Sequence, residues 1–355
     1  MIRILGSLFA CICVSQSCMA WNGEGHMVVA QIAYNHLTPG VKTVCDTLIA
    51  TPVIYASSGN NTFVTAAVWA DDIKSYTSAF STWHYIDIPF SLDGYPTNSF
   101  TPPSFDVVKA IRTNIAVLQN PSETQSNRAF HLRLLLHFVG DIQQPLHCTT
   151  AISSNRTGGD AGGNSFSING DWSNLHSLWD SGGGFLSDSL PRPLSVASQN
   201  TLNSRVAAIE ASHPYDYTTN LGVIPDPMTW AQEGLGLAQT VSYVGIALNA
   251  TPSSDYLDAA QTTTDKRMAD GGHRLADLLN TLFTPPSVML TSMTVTNGDF
   301  RFSWGAVSGA TYQVQCKQQF SDLTWSNLAD ITPTTSTGTF SEPVTQSQRF
   351  YRVVQ

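Results

Sequence analysis

"LLLHFVGDIQQPLH", residues 134–147, closes a longer run that begins at Asn127, carries apolar residues at helical spacing and stops at Pro145. Within it His137 and Asp141 are four residues apart, so both side chains leave one face of the helix. His147 follows just beyond the proline, where the chain must already have turned. An imidazole and a carboxylate at this spacing are on their own most often a surface ion pair or a hydrogen-bonded core histidine. The reading changes because the pattern recurs.

Downstream, "NLHSLWD" (174–180) repeats the spacing with His176 and Asp180. Upstream, "VWADDIK" (68–74) offers Asp71 and Asp72, "WHYIDI" (83–88) offers His84, and "WNGEGH" (21–26) offers His26. Imidazole nitrogens and carboxylate oxygens together suit Zn²⁺. Five of the nine histidines fall in these short segments, each with an acid close by, which favours metal binding over isolated ion pairs. The other four, His36, His131, His213 and His273, are expected to be structural or surface residues.

The surrounding segments are also helical. "EGHMVVAQIAYNHL" (24–37), "SFDVVKAIRTNIAVLQN" (104–120, with Ser104 as its N-cap), "RVAAIEASH" (205–213), "MTWAQEGLGLAQTVSYVGIAL" (228–248) and "RMADGGHRLADLLNTLF" (267–283) predict a mainly α, bundle-like domain with long polar loops. At "TPPSV" (284–288) two prolines close the last helix and the composition changes. Beyond them "MLTSMTVTNGDFRFSW", "ATYQVQCKQ", "TWSNLADI" and "QRFYRVVQ" alternate in the manner of strands, with Asn297-Gly298 as a hairpin signal. The expected organisation is a leader over 1–20, a helical domain over 21–284 and a small β-sandwich over 287–355; 355 residues also exceed the roughly 250–300 at which one core stops growing. "FSWGAVSGATYQVQ" and "FYRVV" are similar to fibronectin type III modules in general terms, and no partner for this module can be read from them.

The leader has Arg3, an apolar run from Ile4 to Val14 and small or polar residues to Ala20, the pattern of an export signal cut before Trp21. Its apolar run is shorter than the roughly 20 residues that span a bilayer, so no membrane anchor is expected after cleavage. Cys11, Cys13 and Cys18 would leave with it, and Cys45, Cys148 and Cys316 remain. That is no disulfide framework, although a Cys45–Cys148 bridge is permitted in an oxidising compartment and the odd count leaves at least one thiol free. With 17 Lys and Arg against 26 Asp and Glu, net charge −9, the composition argues against a broad basic surface for nucleic acid.

"WNGEGH", "WADDIK", "HYIDI", "HFVGDIQQPLH", "GGN" and "NLHSLWD", in this order, resemble the zinc-dependent single-strand-specific nucleases of the mung-bean nuclease type. The resemblance implies three Zn²⁺ per chain: one on Asp71, His84, His137 and Asp141, a second on Asp141, His26 and the freed terminus of Trp21, and a third on His147, His176 and Asp180. It implies hydrolysis of single-stranded DNA and RNA to 5′-phosphorylated products, with 3′-nucleotidase activity, by an exported monomer in periplasm or medium. Asp71 and Lys74 would serve catalysis; Tyr85, Asp87 and Asn164 would contact substrate. Three Zn²⁺ would also make the cluster locally cationic in an acidic protein. The related zinc phospholipases C are the nearest alternative, but they usually place a longer segment between the terminal tryptophan and its histidine and put Glu where Asp180 stands. An exported binding or adhesion protein with an inactive helical domain is the alternative of another class.

Overall fold

The computed structural model describes residues 21–186, 190–216, 225–284, 288, 290–319, 322, 324–345 and 348–354. The expected leader therefore lies outside the described residues. The chain divides into two compact units, one ending at Phe283 and the other beginning at Thr284.

In the first unit the helices are α1 (Gly23–His36), α2 (Pro39–Ala50), the short α3 (Phe63–Ala66) and α4 (Trp69–Asp72), α5 (Val107–Gln119), α6 (Gln125–Asp141), α7 (Leu175–Asp180), α8 (Val196–Ser212), α9 (Pro227–Leu237) and α10 (Ser254–Phe283). Side chains of Asn22, Thr38, Asp106, Thr124, Asn174, Ser195 and Asp226 cap helix starts by accepting backbone N–H groups. None of the described helices is long and apolar enough to cross a membrane.

Helix α6 is the axis of this unit. From Leu132 to Asp141 every residue is buried, the behaviour of a helix enclosed on all sides. Its core neighbours include Val108, Ile111 and Ile115 of α5 and Cys45, Leu48 and Ile49 of α2. Helix α1 lies against α10 through glycine: a Cβ on Gly272 would stand 2.4 Å from Ile32 Cγ2, so only glycine admits this approach. After α6 the chain makes a tight turn over Pro145–Cys148 and enters β2 (Thr149–Ile152), which pairs in parallel with β1 (Ile88–Ser91). This pairing ties the segment after His84 to the segment after His147.

Several expectations are corrected. Helix α5 starts two residues later than Ser104, because the Asp106 side chain accepts from Lys109 N at 2.9 Å and caps it. The segment over 228–248 is not one helix: α9 passes into a wider turn over Ala238–Ser242, and Gly245 (φ 76°) lies beyond it. Cys45 and Cys148 are unbridged and buried. Both belong to the core around α6, where Cys148 donates to Ile142 O at 3.2 Å and lies against Gly234 of α9.

The second unit contains β3 (Leu290–Thr296), β4 (Asp299–Gly305), β5 (Tyr312–Lys317), β6 (Ser326–Ile331), β7 (Thr337–Pro343) and β8 (Phe350–Val354). They form two antiparallel three-stranded sheets in the orders β3-β4-β7 and β6-β5-β8. Asn297 and Gly298 both have positive φ (53° and 83°), the hairpin turn expected of that pair. Phe302, Trp304, Tyr312, Val314 and Cys316 alternate inward along β4 and β5. Strand β7 is absent from the sequence reading because "TGTFSEP" has little alternation; Gly338 belongs there because Trp304 fills the space of a Cβ, 2.3 Å from its Cε2.

Candidate metal centre

The tight turns and helix ends of the first unit carry the polar side chains into a buried cluster. Trp21 stands just before α1, fully buried, and its indole Nε1 donates to Gly140 O at 3.1 Å, beside Asp141. His26 lies in the first turns of α1 and its ring stacks on that of His137, centroids 3.8 Å apart. Asp71 comes from α4, and Lys74, from the turn after it, sets Nζ 2.6 Å from Asp71 Oδ1. The other acid of that motif, Asp72, is engaged elsewhere by Arg192 at 2.6 and 3.0 Å and by Asn60 at 2.8 Å.

Asp141 is the centre of the first group. Its Oδ2 is 2.9 Å from His84 Nδ1, and its Oδ1 is 3.3 Å from both His26 Nε2 and His137 Nε2. Yet Asp141 Oδ1 and His26 Nε2 make no hydrogen bond of acceptable geometry, although both are wholly buried. Asp71 Oδ1 is 3.5 Å from His137 Nε2 and 3.8 Å from His84 Nδ1. His137 Nδ1 is 2.7 Å from Ala67 O; a carbonyl only accepts, so Nδ1 carries a proton and Nε2 is the atom turned inward to the carboxylates.

The second group is built alike. His147 Nδ1 donates to His84 O at 2.7 Å and His176 Nδ1 donates to Gly162 O at 2.6 Å. Their Nε2 atoms then face each other as two acceptors, 3.1 Å apart. Asp180 Oδ2 is 3.6 Å from His176 Nε2, while its Oδ1 accepts from Gln144 Nε2 at 2.8 Å. Two lone pairs and a carboxylate converging in a buried place repel each other unless a cation lies between them, and backbone carbonyls behind metal-binding imidazoles are the usual means of fixing the tautomer. Donor sets His84, His137, Asp141; His26, Asp71, His137; and His147, His176, Asp180 each converge within 4.8 Å. The residues therefore fit divalent metal.

Protonation follows the same arrangement. Burial, with His137 adding to it, holds the His26 ring well below its ordinary range. Burial acts against ionisation of Asp71, but the charges of His137 and Lys74 outweigh it and keep its carboxyl well below the usual value. Burial raises Asp141 well above the ordinary range, with His137 opposing. Asp180 is pushed up to about 7 by burial, again opposed by its histidine neighbour.

Tyr85 follows His84 in extended conformation, Asp87 is spanned by a tight turn in which Ile88 N donates to Ile86 O at 3.0 Å, and β1 begins only at Ile88. Tyr85 O accepts from Val107 N at 3.0 Å, and Asp87 is raised to about 7 by burial and by Asp160, with His176 opposing. Asn164 donates to Ala161 O at 2.8 Å. The glycine loop before it has a structural reason: Gly162 (φ 60°) would put a Cβ 2.2 Å from Leu146 O, so the loop is packed on the turn that carries His147. The sequence reading missed Gln144, Ala67 and Gly162, the partners that orient the ligand atoms. Only the side chain of Gln144 had a sequence signal, a polar pair between a buried helix and a proline; carbonyl contacts have none.

The model of the family described as S1/P1 Nuclease matches residues 21–284. The chain is 28% identical over 303 residues to "Endonuclease 1" of Arabidopsis thaliana, covering 80% of this chain and 93% of that one. It is 29% identical over 313 residues to "Nuclease S1" of Aspergillus oryzae (80% and 99%) and 28% identical over 289 residues to "Nuclease P1" of Penicillium citrinum (73% and 97%).

Proposed function

The chain belongs to the S1/P1 nuclease family, and from that premise we propose that it is a zinc-dependent phosphodiesterase of single-stranded DNA and RNA. The observation that carries this reading is the pair of imidazole acceptors on His147 and His176, 3.1 Å apart, beside a second cluster that shares Asp141. We read the ligands as Asp71, His84, His137 and Asp141 for one zinc, His26, Asp141 and the terminal amine and carbonyl of Trp21 for a second, and His147, His176 and Asp180 for a third. This reading includes export, periplasmic or secreted, with cleavage after Ala20, since only cleavage frees the amine of Trp21. The domain limits given above and a fibronectin type III-like arrangement of the second unit are part of the same proposal, the latter supported by its two three-stranded sheets.

When bound, zinc supplies Lewis-acid stabilisation of phosphoryl charge and lowers the pKa of water toward neutrality. The chain's own groups complete the site. Asp71, kept ionised by Lys74 and His137, can orient a water or take its proton. Lys74 Nζ, tethered at 2.6 Å, would stabilise charge growing on phosphoryl oxygens. Tyr85 would stack on an unpaired base, a contact worth roughly 1–3 kcal/mol, and Asp87 and Asn164 would meet polar edges of the substrate. The expected products carry 5′-phosphates, and 3′-nucleotides are expected substrates.

The test is metal analysis of the purified mature protein with assays on single-stranded DNA, RNA, a 3′-nucleotide and phosphatidylcholine. Zinc retention with hydrolysis of the nucleic acids supports the reading. Zinc retention without it, or hydrolysis of phosphatidylcholine alone, overturns it. Affinity drawn from a few ions, not from a lysine surface, also implies a shallow salt dependence of substrate binding.

A further inference from the structure

We propose a further divalent-metal site where α1, α8 and α10 meet, formed by His36, Glu210 and His273. Each of these residues offers a ligand atom within 4.8 Å of those of the other two. They come from three helices: His36 ends α1, Glu210 is in the last turn of α8, and His273 is in the second half of α10.

His36 Nε2 lies 2.5 Å from Glu210 Oε1, and Asn35 Nδ2 donates to Glu210 Oε2 at 3.2 Å, so the carboxylate is aimed, not loose. An ion pair of His36 with Glu210 would explain these two residues alone. It leaves His273, whose Nε2 is enclosed and has no hydrogen-bond partner. Burial, reinforced by the charge of His36, pushes His273 down to about 4, so at neutral pH its ring is an uncharged donor of the kind metals take.

The surroundings are those of a supported site. The ring of Tyr215 stacks on His36 at 4.4 Å and meets His273 at 5.0 Å, and its hydroxyl donates to Asp277. Behind the site, Asn280 Nδ2 donates to His36 O at 3.1 Å and Asn280 Oδ1 accepts from Thr38 N at 3.0 Å, fixing the end of α1 on α10. Two imidazoles and one carboxylate are the donor set of zinc sites with a position left for water, and a poor match for the all-oxygen preference of Ca²⁺ or Mg²⁺. Ligand atoms on a tetrahedral zinc stand about 3.4 Å apart, a spacing between the 2.5 Å of His36 Nε2 to Glu210 Oε1 and the 4.8 Å that bounds the group. Such an ion would clamp three helices, with α1 carrying His26 at its other end.

The proposal does not depend on the nuclease reading, because its measure is a difference between proteins. With the mature protein equilibrated in excess zinc and then gel-filtered, the wild type should retain one ion per chain more than His273→Ala and than Glu210→Gln, while hydrolysis of single-stranded DNA is unchanged. The zinc-dependent rise in thermal midpoint should shrink in both variants. Equal zinc content in wild type and variants overturns the proposal. If a variant does not fold, anomalous scattering at the zinc edge from wild-type crystals decides: a peak among the three side chains supports the site, and its absence at saturating zinc removes it.

Discussion

His147 and His176 point lone pair against lone pair at 3.1 Å, each turned inward by a carbonyl that accepts a hydrogen bond from its far nitrogen. Without a cation that arrangement is repulsive and buried. Chelation should therefore lower the thermal midpoint by at least about 5 °C, since loss of a tightly bound ion removes several kcal/mol of native-state stabilisation. Calorimetry before and after chelation, with zinc re-addition, checks it; an unchanged midpoint in protein proven to be metal-free would count against a metal centre.

A mature protein that keeps even one residue before Trp21 should hold at least one zinc fewer and lose most activity, because an amide nitrogen cannot replace a free amine as ligand. Elemental analysis of both forms reads this directly. Full activity in the extended form would reduce Trp21 to a packing residue, buried with its indole on Gly140 O.

Gly140→Ala should cost about 1–3 kcal/mol and depress activity, as its Cβ would stand 2.9 Å from Nδ1 of a His26 ring already stacked on His137. Gly236→Ala in α9, where a Cβ meets nothing within 4 Å, should instead stabilise by about 1 kcal/mol. Paired urea titrations compare the two. A stabilised Gly140→Ala variant would mean the contact is soft.

Gln144→Ala frees Asp180 Oδ1 from its donor at 2.8 Å. Loss of such a supporting hydrogen bond typically costs 10- to 100-fold in metal affinity or activity, so a fall of roughly that size is expected. Competition with a calibrated chelator measures the affinity, and Gln144→Glu should not rescue it, since a second carboxylate cannot donate.

Burial pushes the thiols of Cys45 and Cys148 up to about 12. Both raised values leave them protonated up to strongly alkaline pH, with a thiolate fraction on the order of 10⁻⁴ at pH 8. Neither should label with a thiol reagent until urea unfolds the chain. Rapid labelling of either in the native protein, located by peptide mass analysis, would contradict their burial.

The side chains converging here were legible because each lies in a short, self-contained motif: His137 and Asp141 share a helical face through spacing alone, and so do His176 and Asp180. What holds them was not legible. The carbonyls of Ala67, His84 and Gly162 leave no trace in residue type, and the pairing of β1 with β2 brings together segments about sixty residues apart. Helix α5 shows the limit locally: Ser104 and Asp106 are both good caps, and only the Lys109 N–H decides between them. Strand β7 escaped notice because its place depends on Trp304 of another strand. His36 and His273, unremarkable in sequence, are 237 positions apart and meet only through the packing of α1 on α10.

Asp141 reaches His84 with one oxygen and both His26 and His137 with the other. With the two ions proposed for this cluster in place, a carboxylate divided in this way would tie them into a single switch: emptying either seat would loosen the other, so partly loaded chains should be scarce. In a zinc-poor medium such a protein would pass from active to inert over a narrow span of metal concentration, not by gradual dimming.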